Sequence, residues 1–179
     1  MVVISLDLGP NHTGFCIFEG EDSLAHFGTI LPPKTLTKQK RIQYTVGILK
    51  VMCDVYGVQE AAIEDYAHKL RSSSVTFIRE QGGAIKQMLL ENKIKLDLYN
   101  ISVIKKFATG GGGAAKKDMA KVLKSMADGP SREQAFRLTT KLRREVSEDV
   151  VDAWFIGRLH FDNVRRALLG EELWLSSNV

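Results

Sequence analysis

Two apolar strands in this chain each end on an acid, and this limits how the chain can fold. Asp7 closes the run Val2-Val3-Ile4-Ser5-Leu6, and Glu64 closes Ala61-Ala62-Ile63. A carboxylate at the end of a buried strand is costly to desolvate unless something cationic neutralises it. Strand alternation turns Glu64 inward, since the apolar run ends at Ile63, and turns Asp65 to the opposite face. Asp149 and Asp152 follow near the start of a late helix, three residues apart and therefore on one face. Glu148 pairs with Asp152 equally well at i and i+4, so spacing leaves it in competition with Asp149. Each feature alone has a plainer explanation: a strand end with a glycine turn, or acids complementing a helix dipole. Their combination does not.

The element order narrows the fold further. Val2–Leu8, Gly14–Glu19 and Leu24–Ile30 are short apolar segments separated by Gly9-Pro10-Asn11 and Gly20-Glu21-Asp22, which predicts an antiparallel meander. Helical spacing runs from about Thr37 to Tyr56 and stops at Gly57. A strand at Glu60–Asp65, a helix near Ser74–Asn92 and a strand at Lys95–Ile101 come next, and then a short helix capped by Ser102. After four glycines, helices are expected over Ala114–Ala127, Ser131–Arg144 and from a Ser147 cap to Leu169. This order matches a ribonuclease H-like α/β fold: a mixed five-stranded sheet, three antiparallel strands then parallel ones, flanked by helices. In that fold the first and fourth strands are central neighbours, which brings Asp7 and Glu64 together. At 179 residues a single domain over 1–179 is expected.

The net charge of +4 is unevenly spread. From Lys105 to Arg144 there are eleven basic residues against three acidic ones, while the remainder of the chain is net acidic. Such a block marks a polyanion partner. Cys16 and Cys53 lie far apart within apolar stretches and read as buried thiols of a reducing compartment. No apolar run approaches the roughly 20 residues of a membrane span, and no signal-like start is visible, so a cytoplasmic protein with no membrane partner is expected.

Oxygen ligands on rigid elements, without a His or Cys cluster, suit Mg²⁺ or Mn²⁺ rather than zinc. The four histidines show no metal-ligand spacing, and His160, Trp154 and Phe155 are expected to be structural. The run Gly110–Lys117 is no phosphate-binding loop, because Ala115 replaces the final glycine and Lys117 the magnesium-binding hydroxyl. Gly110-x-Gly112-x-x-Ala115 meets a relaxed dinucleotide pattern but follows a lysine-rich helix instead of a strand.

Four segments resemble the RuvC family of Holliday-junction resolvases, especially its phage-type branch. They are Asp7-Leu8-Gly9 with Thr13-Gly14, Ala62-Ile63-Glu64-Asp65-Tyr66-Ala67, Ile104-Lys105-Lys106-Phe107-Ala108-Thr109-Gly110 with Gly112, Ala114, Lys116 and Met119, and Asp149-Val150-Val151-Asp152-Ala153. The third is the most specific, since no generic nuclease fold requires it. The resemblance implies a structure-selective endodeoxyribonuclease in which Asp7, Glu64, Asp149 and Asp152 hold two Mg²⁺ ions, with Mn²⁺ able to substitute. Paired nicks with 5′-phosphate and 3′-hydroxyl ends would follow, in recombination, repair or phage DNA processing. Lys105 and Lys116 match the family's functional lysines, Lys116 with a catalytic role; Lys106 and Lys117 are their neighbours and further expected DNA contacts, and the sequence leaves open which of each pair points inward. Further DNA contacts are expected from Tyr66 and His68 and, in the basic helix, from Arg132, Lys141, Arg143 and Arg144.

Departures are visible too. Ala67 stands where bacterial members carry a phenylalanine, His68 where phage-type members usually carry an aromatic, and Gly113 where the family has asparagine. The expected partners are a four-way DNA junction and a second copy of the chain, with the helix Ser74–Asn92 and its Gly82-Gly83 pair as interface. A broader nuclease acting on flaps and forks, or a DNA-binding protein with a relict site, are the competing readings.

Overall fold

Strand β1 (Val3–Leu8) runs through the middle of a five-stranded sheet and is buried along its whole length. In the computed structural model, which describes residues 1–65, 73–126 and 148–174, the strand order is β3-β2-β1-β4-β5. Of Ser73, Ser74 and Lys116 only the backbone is described. β2 (Thr13–Gly20) and β3 (Ser23–Ile30) form the antiparallel meander, and β4 (Glu60–Glu64) and β5 (Lys95–Tyr99) are parallel to β1. The mixed sheet and its order are those predicted for a ribonuclease H-like fold.

Period-two alternation divides the core into two layers. Ile4, Leu6 and Leu8 pack with Leu49 and Cys53 of α1 (Lys38–Tyr56) and with Ile78, Ile85 and Leu89 of α2 (Ser73–Glu91). Val3, Cys16, Phe18 and Ala62 face the other way. They meet Ile104 of α3 (Ile101–Thr109), Met119 and Leu123 of α4 (Lys116–Ser125), and Trp154, Phe155 and Leu159 of α5 (Glu148–Leu169). Trp154 and Phe155 are both fully buried and meet edge to face at 4.9 Å, packing the last helix as expected. Burial raises the Cys53 thiol to about 11 and the Cys16 thiol well above its ordinary value, which keeps both inert.

Helix ends follow local chemistry. Thr37 caps α1, and Gly57 closes it in the left-handed region at φ 61°. The short helix after β5 starts earlier than its serine suggested. Asn100, not Ser102, is the cap: its Oδ1 accepts from the Ser102 amide at 2.9 Å, and the strand stops at Tyr99. Likewise α4 begins at Lys116 instead of Ala114. The Ala114 amide is committed to Gly111 in a turn, and the Asp118 carboxylate reaches back to the Ala115 amide. Ser131–Arg144 and Ser147 lie outside the described residues. Among the described residues no helix is long and apolar enough to cross a membrane.

Candidate metal centre and nucleic-acid face

The register of the sheet brings the strand-end acids together. β1 and β4 pair Val3 with Glu60 through Leu6 with Ile63, so one further step on each parallel strand sets Asp7 beside Glu64. Both side chains take the α5 side, because Leu6 and Ile63 belong to the opposite layer. Asp7 is also the antiparallel partner of Gly14. Over Gly14 lies the first turn of α5, so close that a Cβ on Gly14 would sit 2.3 Å from the Asp149 carbonyl oxygen. From there α5 runs back along the sheet. The Cys16 thiol lies 3.8 Å from the Val150 carbonyl, and Gly157 rests on Phe18 and Ser5. Asp149 and Asp152 therefore hang over the ends of β1 and β4.

All four carboxylates are buried: Asp7 at 4 %, Glu64 at 5 %, Asp149 at 8 % and Asp152 at 2 % exposure. Glu148 is exposed, so burial separates the two residues that spacing had left in competition. Four buried oxygen donors on two strands and one helix face form the donor set that a hard divalent cation requires, and the residues fit Mg²⁺ or Mn²⁺.

Of the expected DNA contacts, Lys105 is half-buried on α3. Lys106 is exposed and lies over the Trp174 ring at 6.0 Å, which turns it toward the C-terminal segment. That separates the adjacent pair: Lys105 is the one not drawn to Trp174. Because α3 starts directly after Tyr99, the strand partner of Glu64, it leaves the sheet at the carboxylate end. Lys117 is exposed on α4, and the Lys116 side chain is outside the described part. Tyr66, His68, Arg132, Lys141, Arg143 and Arg144 also lie outside it. The glycine run is a tied turn: Gly110 closes α3 at φ 80°, the Gly111 amide donates to Thr109 Oγ1, and Gly112 packs on the Ser102 carbonyl.

Sequence reasoning missed His12. Its Nδ1 lies 2.7 Å from Asp149 Oδ2, across 137 positions of sequence. No spacing rule joins a turn residue to a distant helix. Arg41 was missed for the same reason; it donates to the Pro10 carbonyl and to Asn11 Oδ1 in the same turn.

A second acidic group, Glu60, Asp97 and His160, lies at the other end of β4. It is not a metal centre of the same kind. The Lys95 ammonium sits 3.2 Å from both carboxylates and already supplies the neutralising charge. His160, 1 % exposed, donates from Nε2 to Glu60 at 2.9 Å and accepts at Nδ1 from the Tyr99 hydroxyl at 3.0 Å, as the partners assign the protons. Burial lowers its pKa, against the opposing pull of Asp97 and Glu60. A histidine kept neutral in the fold contributes stability that is fully present above its unfolded pKa, about 6.5, and is lost as pH falls below it. The urea midpoint is therefore expected to fall between about pH 7.5 and about pH 5.5. His160→Gln should start from a lower midpoint, by about 1–3 kcal/mol for the broken buried bonds, and show a smaller fall.

Comparison with known proteins agrees with this architecture. The family profile described as Crossover junction endodeoxyribonuclease RuvC matches residues 3–137. A protein of that name from Francisella tularensis subsp. novicida is 24% identical over 164 residues, covering 90% of this chain and 88% of its own. Another from Sulfurovum sp. is 25% identical over 169 residues, covering 92% and 98%. Among solved structures, Thermus thermophilus RuvC in complex with Holliday junction substrate superposes with a TM-score of 0.70 at 15% identity, covering 95% of this chain and 96% of that one. The Fowlpox virus resolvase gives 0.56 at 13% identity, over 92% and 99%. With buried acids on adjoining strands, a matching helix face and a profile spanning three quarters of its length, the chain belongs to the RuvC family and is a nuclease of the hydrolase class.

Proposed function

We propose that this chain is a single-domain, structure-selective endodeoxyribonuclease that resolves four-way DNA junctions by Mg²⁺-dependent hydrolysis. The observation that supports this most is the convergence of Asp7, Glu64, Asp149 and Asp152 at one end of the sheet, next to the lysine-bearing helices α3 and α4. Two bound Mg²⁺ ions would supply activation of a water and charge stabilisation at the leaving oxygen of an in-line displacement. The protein's share is positional. Asp7 and Glu64 extend from hydrogen-bonded strands and resist displacement, while Asp149 and Asp152 close the set from above. Lys105 and Lys116 neutralise phosphate near the cut and offset the negative charge that develops there. Loss of the 3′ oxygen leaves 5′-phosphate and 3′-hydroxyl ends.

Resolution requires two like strands to be nicked in a fixed relation, which a two-fold homodimer supplies. Helix α2 remains our candidate interface. Gly82 is buried in its own subunit, whereas Gly83 is exposed with open space where a Cβ would stand. The test compares nicking of a mobile four-way junction, a flap and plain duplex in Mg²⁺, with light scattering at the same protein concentration. Paired junction cuts by a dimer are expected. Equal cutting of flaps and junctions would favour the broader branched-DNA nuclease, and paired cuts by a monomer would remove the dimer.

A further inference from the structure

We infer that the outer face of α1 is a self-association surface, on which two copies of the chain pair antiparallel across Gly47. The inference goes beyond the function proposed above and does not depend on α2 as an interface. α1 is apolar on two sides. Thr45, Leu49 and Cys53 are buried beneath it. On the side turned away from the sheet, Tyr44, Val51 and Val55 are 39 %, 60 % and 73 % exposed, with Ile48 half-buried between them. A surface helix ordinarily carries polar residues there. The positions 44, 48, 51 and 55 alternate steps of four and three, the spacing of a coiled-coil seam. Gly47 opens an apolar groove in this seam, lined by Tyr44, Ile48, Val51 and Met52, and a Cβ on it would meet nothing within 4 Å.

Charge selects the occupant. A two-fold pair needs a self-complementary surface, because each residue meets the same face of its copy. Lys40, Gly47 and Asp54 stand seven residues apart, two helical turns each, so they share one line along α1, and all three are exposed. Antiparallel crossing at Gly47 sets residues equally far before and after it against each other. Lys40 then meets Asp54 of the second copy, twice by symmetry, and Tyr44 comes against Lys50 and Val51 of the second copy. Parallel pairing would instead set each charge against its like. With no side chain at the crossing, the two backbones can approach closely. A strip about 21 Å long and one helix wide, about 10 Å, covers far less than the roughly 800 Å² per partner of a standard interface, so the contact is weak in free solution. Copies gathered on one DNA molecule would meet at a raised effective concentration, where a weak contact holds.

Sedimentation equilibrium of the full chain without DNA, over a range of protein concentrations, tests this. The average mass of wild type should rise with concentration, from a monomer or from an α2 dimer, by a step that Val51→Asp removes. Val51 is exposed, so its substitution should leave the urea midpoint unchanged, and nicking below the concentration of the step should stay within about twofold. Lys40→Asp and Asp54→Lys should each weaken the step about 10-fold by setting like charges opposite one another at two symmetric places. Mixed in equal amounts, these two variants should associate as tightly as wild type, because each then offers the charge the other lacks. The double variant Lys40→Asp/Asp54→Lys should recover as well. A wild-type mass independent of concentration, a step that survives Val51→Asp, or a mixture that associates no more tightly than either variant alone would overturn the inference.

Discussion

Asp7→Asn is expected to lower junction nicking by roughly 10²- to 10³-fold, the scale on which loss of one group stabilising developing charge is felt. The substitution keeps shape and volume, so the sheet has no reason to change. Asp7 is 4 % exposed in a strand buried along its whole length, flanked by β2 on one side and β4 on the other. Removing one of four like charges also relieves repulsion that only a cation offsets. Metal-free Asp7→Asn should therefore unfold at the same or a higher urea concentration than wild type, while its activity collapses. Glu64→Gln should behave alike. Glu148→Gln is the control: an exposed carboxylate outside the cluster, its loss should leave nicking within about twofold, since surface substitutions seldom matter more. Single-turnover nicking with a labelled junction measures all three. Unchanged activity in Asp7→Asn or Glu64→Gln would refute the site.

How much of this was legible beforehand depends on the range of the interaction that decides it. Strands and helices were readable because alternation and helical spacing are local. Val3–Leu8 and Lys38–Tyr56 lie within a residue or two of where the pattern sets them. The pairing of Asp7 with Glu64 followed from element order, since β1 and β4 have to be neighbours in such a sheet. The choice between Glu148 and Asp149 was different. Both suit the helix face, and only the rotation of α5 against β2, fixed by the Gly14 contact, puts one inside and one outside. Lys105 and Lys106 are a similar case, decided by a tryptophan 68 positions downstream of Lys106. His12 left no trace at all, because its partner is reached only after the sheet and last helix have assembled. The Asn100 cap is a smaller lesson: Asn and Ser both cap well, and the strand ended two residues sooner than its apolar pattern.

The cluster around His160 shows why acidity alone does not identify a catalytic centre. Glu60 and Glu64 bracket the same five-residue strand and face the same helix, roughly 13 Å apart at the usual strand rise. Burial pulls the Lys95 ammonium down, yet Asp97 and Glu60 outweigh it and leave its pKa raised. At that end the protein supplies its own cation and a neutral histidine, and the group ties α5 to β4 and β5. At the other end it gathers four buried carboxylates around the ends of β1 and β4.

Gly14→Ala is expected to produce the second large effect, and through space instead of charge. Gly14 is not in the left-handed region, so its lack of a side chain serves close approach and not backbone freedom. An added Cβ would meet the Asp149 carbonyl oxygen at 2.3 Å, its carbon at 2.4 Å and its Cβ at 2.8 Å. Two of these atoms are backbone, so no rotamer change relieves them, and the first turn of α5 has to move by about 1 Å to reach ordinary contact. Overpacking of this kind costs about 1–3 kcal/mol. The larger loss falls on activity, because Asp149 and Asp152 shift relative to Asp7 and Glu64, and a displacement near 1 Å can cost about 10²-fold in rate. Gly157→Ala supplies the contrast. Its Cβ would meet the Phe18 ring at 2.3 Å and 2.8 Å and Ser5 Oγ at 3.0 Å, two turns further along the helix. It should destabilise by a comparable amount, with a smaller effect on nicking at temperatures where the protein remains folded. Urea midpoints and single-turnover rates on both variants separate the two. If Gly14→Ala loses no more activity than Gly157→Ala at equal stability, the Gly14 contact does not set the carboxylate geometry.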